Sequence, residues 1–221
     1  MLKIICEAGL AWESFDEAVL YAEKAKEIGA DIIKYQWIED DSLPGNECHL
    51  NKGEWKALKR YCDMIDIEFM CTPSSVEILT NLFLNGVNII KIGSDRIKQN
   101  DLYKYHAEYN ELNGSVYTNS IFCKYLISDG YDSNGYENMY CVSLYPCDKK
   151  FIDFNRMAYD KYIGFSDHTL EYNKEWCDKI KTCKNIQYVE KHFKLRDDCI
   201  DSNVSLNVEQ MREFINNLKE A

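Results

Sequence analysis

The chain has 221 residues, a hydrophobic fraction of 46% and a formal net charge of −11 at pH 7. This length and composition are typical of a globular chain with one sizeable core, and they exclude an intrinsically disordered one. The negative charge argues against nucleic acid as the main partner, because phosphate backbones are bound by Lys- and Arg-rich surfaces.

The first residues, the lengths of the apolar runs and the cysteines together indicate the cellular compartment. The first residues read as a strand rather than as a signal peptide, and no apolar run approaches the ~20 residues of a membrane-spanning helix. The chain has 10 cysteines, and none forms a Cys-x-x-Cys pair, so structural zinc is not expected. Cys6, Cys71 and Cys141 lie in apolar runs and are predicted to be buried thiols. We therefore expect a cytoplasmic protein without a membrane partner.

Short apolar runs alternate with helical patterns along the whole chain. In chain order, the predicted strands cover residues 3–6, 31–36, 67–71, 87–91, 114–118, 139–143, 162–165 and 187–192. The predicted helices cover residues 15–28, 54–64, 75–84, 100–109, 172–182 and 208–218, with shorter or weaker ones at 121–127 and 151–159. Ser14 is a suitable N-cap for the first helix, and Gly29 is suitable to end it.

Eight successive strand–helix units predict an α/β fold with a parallel sheet, namely a (β/α)8 TIM barrel in one domain over residues 1–221. Such a barrel would be small, because the usual length is ~250 residues. A doubly wound open sheet is the alternative. Its first turn is usually rich in glycine, and the sequence Glu7-Ala8-Gly9-Leu10 is not.

Polar side chains stand where the predicted strands end, which is where a barrel of this type carries its active site. Lys34 and Lys91 close separate strands and, with nearby hydroxyl groups, predict an anion pocket. His168 and His192 follow the last two strands and indicate a divalent metal, although a single such His is more often structural. A carboxylate after a buried strand, as at Glu7, is costly unless it is paired or used. The other polar residues at strand ends are Gln36, Thr72, Ser94, Thr118, Ser143, Tyr145 and Ser166.

Nearly the whole chain resembles the sialic acid synthase (N-acetylneuraminate synthase) family of phosphoenolpyruvate-dependent condensing enzymes. The resemblance rests on seven segments in the same order and spacing. They are Cys6-Glu7-Ala8-Gly9, Ile33-Lys34-Tyr35-Gln36, Phe69-Met70-Cys71-Thr72-Pro73, Lys91-Ile92-Gly93-Ser94, Ser143-Leu144-Tyr145-Pro146, Gly164-Phe165-Ser166-Asp167-His168-Thr169 and Glu190-Lys191-His192-Phe193.

The resemblance implies a transferase that joins phosphoenolpyruvate to an N-acetylated aldose such as N-acetylmannosamine, giving a sialic or other nonulosonic acid and phosphate. It implies His168 and His192 as ligands of Mn²⁺ or Mg²⁺. It also implies Glu7, Tyr145 and Asp201 as residues beside the reacting carbons and the sugar. The implied phosphoenolpyruvate-binding residues are Lys34, Thr72, Lys91, Ser94, Thr118, Ser143 and Ser166.

The departures from the family's pattern fall mainly on the sugar side. Arg96 stands where an acidic residue is usual, and Leu10-Ala11-Trp12 stands where Asn-His is usual. Gln36 and Arg96 are further candidate site residues. Relatives usually continue into an antifreeze-like domain, which we do not expect in this chain, so a homodimer or a separate antifreeze-like subunit is a candidate partner. Two other functions stay open: a binding barrel that is inactive or partner-dependent, and a metal-dependent aldolase or hydrolase.

Overall fold

The computed structural model describes residues 2–38, 50–93, 124–128, 137–159 and 161–220. Within these residues eight parallel strands pair in chain order, and the eighth also pairs with the first, so the sheet closes into a barrel. The strands are β1 (Lys3–Gly9), β2 (Ile32–Trp37), β3 (Glu68–Pro73), β4 (Ile89–Ile92), β5 (Lys124–Ser128), β6 (Glu137–Cys141), β7 (Tyr162–Asp167) and β8 (Tyr188–His192).

Helices follow the strands and begin at polar caps. In the described part of the chain they are α1 (Phe15–Glu27), α2 (Lys52–Met64), α3 (Val76–Leu84), α4 (Phe154–Met157), α5 (Lys174–Thr182) and α6 (Val208–Lys219). The Ser14 side chain accepts a hydrogen bond from the Glu17 amide at the start of α1, and Gly29 follows the helix with a φ of +89°. None of the helices in these ranges is long and apolar enough to cross a membrane.

The two faces of the sheet bury different sets of side chains, because successive residues of a strand point to opposite sides. One cluster of buried side chains fills the barrel interior: Ile5, Ile32, Met70, Ile89, Met139 and Tyr188. A larger cluster lies between the strands and the helices and includes Ile4, Ile33, Leu58, Phe165 and Phe214. At the carboxyl ends of the strands the pattern changes from apolar to polar. There Glu7 of β1 lies in register with Lys34 of β2 and His192 of β8.

The fold prediction is confirmed as an α/β fold with a TIM-like parallel barrel. The ranges that follow β4 and β5 lie outside the described residues, so the complete eightfold repeat and the predicted helix at 100–109 stay predictions. The predicted helix at 151–159 is shorter in the structure, where a 3-10 turn at Lys149–Phe151 precedes α4. Cys6, Cys71 and Cys141 are buried free thiols as expected.

The prediction for the fifth strand is wrong. Residues 124–127, assigned to a short helix, belong to β5, which pairs with β4 and β6 on its two sides. The range 114–118, which we assigned to this strand, lies outside the described residues. The periodicity of a short apolar run does not distinguish helix from strand. Pairing with two neighbouring strands decides the conformation here.

Candidate active site

Most of the predicted site residues lie together at the carboxyl ends of the strands. Seven of them are buried there: Glu7, Lys34, Thr72, Lys91, Ser166, His168 and His192. Gln36 and Asp201 are half-buried, and Ser143 and Tyr145 are exposed at the rim. Ser94, Arg96 and Thr118 lie outside the described residues. The structure therefore brings together the predicted anion-binding and metal-binding residues that it describes.

The two lysines converge on buried carboxylates. The ammonium group of Lys34 forms an ion pair with Glu7, and its Nζ lies 3.4 Å from the Thr72 hydroxyl oxygen. The ammonium group of Lys91 lies 2.7 and 2.8 Å from the two carboxylate oxygens of Glu190. The Nζ of Lys34 also lies 3.6 Å from Glu190 Oε2. Two cations from different strands are thereby held within one small, water-excluded region.

Glu190 is the functional residue that the sequence reasoning missed. Besides both lysines, its carboxylate accepts a 2.8 Å hydrogen bond from the Ser166 hydroxyl. Burial alone would raise the pKa of Glu190, but the charges of Lys34 and Lys91 and the hydrogen bonds lower it below its ordinary value. A signal was available, because Glu190 stands two residues before His192 and so shares its face of β8. The argument from buried charge that singled out Glu7 applies equally to Glu190.

Glu7 has a different environment from Glu190. Its side chain is fully buried, its Oε2 contacts the ammonium group of Lys34, and its Oε1 has no hydrogen-bond partner among the described residues. Gly9 adopts a φ of +54°, and a Cβ at this position would lie 3.2 Å from Glu7 Oε1 and 2.9 Å from Asp201 Oδ2. Because glycine has no Cβ, the carboxylates of Glu7 and Asp201 can both approach the backbone of Gly9. Burial raises the pKa of Asp201, and the nearby charge of Lys34 opposes this increase.

The two histidines face each other with their ring centroids 5.5 Å apart. His168 Nδ1 lies 3.0 Å from the Val142 carbonyl oxygen, which can only accept, so Nδ1 carries the proton and the Nε2 lone pair is available. Burial lowers the pKa of His168 to about 4, while the hydrogen bond to Val142 opposes this decrease. Burial, together with the charges of His168 and Lys34, lowers the pKa of His192. Both rings are therefore neutral at pH 7, as metal ligands must be.

The donor set for a metal is small within the described residues, where no group of three or more His, Cys, Asp and Glu side chains is arranged to hold an ion. His192 Nδ1 lies 3.9 Å from Asp201 Oδ2, so this carboxylate is close to one histidine. The Tyr145 ring lies over His168 with a centroid distance of 4.1 Å. Two neutral imidazoles fit a metal whose other positions are filled by water and substrate oxygens.

A further buried ion pair, between Asp167 and Lys191, lies on the outer face of the sheet behind the histidines. Asp167 and Lys191 are fully buried, and Lys191 Nζ lies 2.8 Å from Asp167 Oδ2 and 2.6 Å from the Thr169 carbonyl oxygen. Trp176 Nε1 donates a 2.9 Å hydrogen bond to the same Asp167 oxygen. Since these residues alternate with His168 and His192, the outward pair fixes the segments whose histidines point inward.

Comparisons with known proteins identify a family and two relatives of this chain. A model of the NeuB family matches residues 21–221. The spore coat polysaccharide biosynthesis protein SpsE of Bacillus subtilis is 22% identical over 252 residues, covering 98% of this chain and 66% of SpsE. An uncharacterized protein of Methanocaldococcus jannaschii is 23% identical over 237 residues, covering 98% of this chain and 69% of that protein. The chain thus spans about two thirds of the length of these relatives.

Solved structures show the same fold. The N-acetylneuraminic acid synthetase of Leptospira borgpetersenii superimposes with a TM-score of 0.81 at 21% identity, covering 99% of this chain and 82% of that one. A truncated 3-deoxy-D-arabino-heptulosonate 7-phosphate synthase of Thermotoga maritima has a TM-score of 0.69 at 11% identity, covering 99% and 85%. At these identities the likeness supports the barrel fold.

Proposed function

Because the chain belongs to the NeuB family, we propose that it is a transferase of the sialic acid synthase type. The reaction condenses phosphoenolpyruvate with an N-acetylated aldose similar to N-acetylmannosamine and gives a sialic or other nonulosonic acid and phosphate. The observation that carries this proposal is the convergence of Lys34 and Lys91, from two strands, beside two neutral histidines and Glu7. The name of the Leptospira borgpetersenii protein supports this reaction class, and the name of the Bacillus subtilis protein supports a role in polysaccharide biosynthesis.

The lysines and hydroxyl groups form the anion-binding part of the proposed site. Phosphoenolpyruvate carries a phosphate and a carboxylate, and two ammonium groups in a water-excluded mouth can each hold one of them. Thr72 lies beside Lys34 and supplies a directed hydrogen-bond donor, whereas Ser166 lies beside Lys91 and donates to Glu190. Burial of the lysines strengthens these contacts, because the local dielectric constant is lower than that of water.

The histidines would hold the metal, for which we propose Mn²⁺ or Mg²⁺. His168 and His192 fit this role because both are neutral and the protonated Nδ1 of His168 directs its Nε2 away from Val142. When bound, the metal supplies a Lewis acid that polarises the aldehyde oxygen of the sugar.

The remaining residues position the second substrate and move protons. In the condensation, the methylene carbon of phosphoenolpyruvate bonds to the aldehyde carbon, water adds to the carbon that carries the phosphate, and phosphate leaves. Glu7 is placed to bind that water or to carry its proton, because its Oε1 is buried without a hydrogen-bond partner among the described residues, whereas Oε2 contacts the ammonium group of Lys34. Tyr145 and Asp201 lie at the rim on the histidine side, where the sugar would enter.

We also propose that the repeat of eight strand–helix units is complete in this barrel.

The test is phosphate release from phosphoenolpyruvate, with and without Mn²⁺, across a panel of N-acetylated and plain aldoses. The proposal expects metal-dependent release with at least one sugar. A Lys91→Met variant should lose this activity, whereas Lys56→Met, which changes an exposed lysine on α2, should keep it. Binding of phosphoenolpyruvate without turnover for any sugar would favour the alternative of a binding barrel. Sugar or ester cleavage without phosphoenolpyruvate would favour an aldolase or hydrolase.

A further inference from the structure

The charged groups at the floor of the barrel mouth already balance one another. Lys34 and Lys91 supply two positive charges, and Glu7 and Glu190 supply two negative charges, each at most 5% exposed. Glu190 contacts both lysines, whereas the ion-pair contact of Glu7 is with Lys34. The residues proposed to hold an external anion therefore already hold an internal one.

The strand register places Glu190 below the ammonium groups. Glu190 pairs in register with Ile5 of β1, whereas Glu7 and His192 pair one level nearer the open end. Ile5 belongs to the apolar cluster of the barrel interior. An anion from solvent would thus approach the lysines from the side opposite to Glu190. An ammonium group has three protons, so Lys91 can contact Glu190 and an external anion together.

We propose, on the basis of the function proposed above, that Glu190 is a counter-anion that lowers the affinity of Lys34 and Lys91 for external anions. With a net charge near zero, the four groups attract a monoanion weakly. A phosphate-bearing ligand with several charges can contact both ammonium groups and still bind. The charge of Glu190 also lowers the affinity for inorganic phosphate, which the proposed reaction must release after each turnover.

A purely structural role for Glu190 makes the opposite prediction. If the carboxylate only holds the lysines in place, its neutralisation lets them move and weakens anion binding. If it competes with the ligand, neutralisation leaves a buried excess of positive charge that the ligand relieves, so binding becomes tighter even though the empty protein is less stable. The sign of the change in affinity therefore separates the two roles.

The experiment is calorimetric titration of the full chain with inorganic phosphate and with phosphoenolpyruvate, in metal-free buffer at low ionic strength. For Glu190→Gln we expect both dissociation constants to fall by about tenfold or more, because one repulsive charge beside the ligand is removed. Glu190→Asp retains the charge but draws it back from the lysines, so it should give a smaller decrease. If Glu190→Gln does not fold, Glu190→Asp still tests the proposal.

The control is Glu68→Gln, which neutralises another carboxylate with a lysine partner, Lys3, but at the amino-terminal end of β3. Its phosphate affinity should stay within about twofold of the unmodified protein, since its charge does not face the mouth. Unchanged or weaker phosphate binding by the Glu190 variants, equal tightening by Glu68→Gln, or no anion binding by any form would overturn the proposal. Tighter binding by the Glu190 variants without turnover on any sugar would support it and count against the proposed reaction alone.

Discussion

Replacing Lys191 with Met should destabilise the protein substantially, because it breaks a fully buried ion pair. The ammonium group contacts Asp167 Oδ2 at 2.8 Å, the Thr169 carbonyl oxygen at 2.6 Å and the Thr169 hydroxyl oxygen at 3.2 Å. Removal of one member of a buried pair costs about 3–5 kcal/mol, since the other charge remains without its partner. Asp167 keeps the hydrogen bonds from the Thr169 amide and Trp176, so we expect about 3 kcal/mol, near the lower end of that range.

Urea denaturation, followed by circular dichroism, measures this loss directly. For a chain of this size about 3 kcal/mol corresponds to a decrease of about 6–12 °C in melting temperature. The double variant Lys191→Met with Asp167→Asn should recover part of the loss, because no unpaired charge remains. Since Lys191 also holds the segment around His168, Mn²⁺ affinity should fall about tenfold in the single variant. A loss below about 1 kcal/mol, or a double variant no more stable than the single one, would refute this reasoning.

Three further predictions follow from single positions. His168→Ala should abolish tight Mn²⁺ binding while thermal unfolding stays nearly unchanged; if the variant unfolds at room temperature, the histidine is structural. Gly9→Ala should lower the free energy of unfolding by about 1–2 kcal/mol, because alanine is strained at a positive φ. Its Cβ should also crowd the Asp201 carboxylate and lower the turnover rate. Activity equal to that of the unmodified protein would contradict the close approach of the two carboxylates. Burial raises the pKa of the Cys62 and Cys71 thiols from 9.0 to about 12, so folding favours the protonated form. Their contribution to stability should be complete below pH 9 and lost as the pH rises from 9 toward 12, and urea midpoints that stay constant over this range would exclude it.

The sequence was sufficient to predict the site residues whose positions follow from the alternation of side chains along a strand. Lys34 and Lys91 lie on the inner faces of β2 and β4, His192 ends β8 and His168 directly follows β7. Closure of a parallel barrel brings such positions together. The helix signals were also local. The Ser14 cap and Gly29 predicted the limits of α1 to within one residue of its observed end at Glu27.

The parts that sequence reasoning missed depend on contacts between distant segments. Lys124–Ser128 becomes a strand because β4 and β6 lie on both sides of it, and nothing within those five residues states this. The ion pair of Glu190 with Lys91 joins residues 99 positions apart. Sequence showed a carboxylate on the inner face of β8 but not the two lysines that it contacts.

The proportion of sugar-acid product to phosphate tests the proposed condensation most directly. The chain would be incubated with phosphoenolpyruvate, Mn²⁺ and N-acetylmannosamine, with the nonulosonic acid quantified by mass spectrometry and the phosphate by a colorimetric assay. The account predicts equal amounts of both, in the unmodified protein and in Lys56→Met, and neither product in Lys91→Met. Phosphate release without the sugar acid, or undiminished product in Lys91→Met, would contradict it.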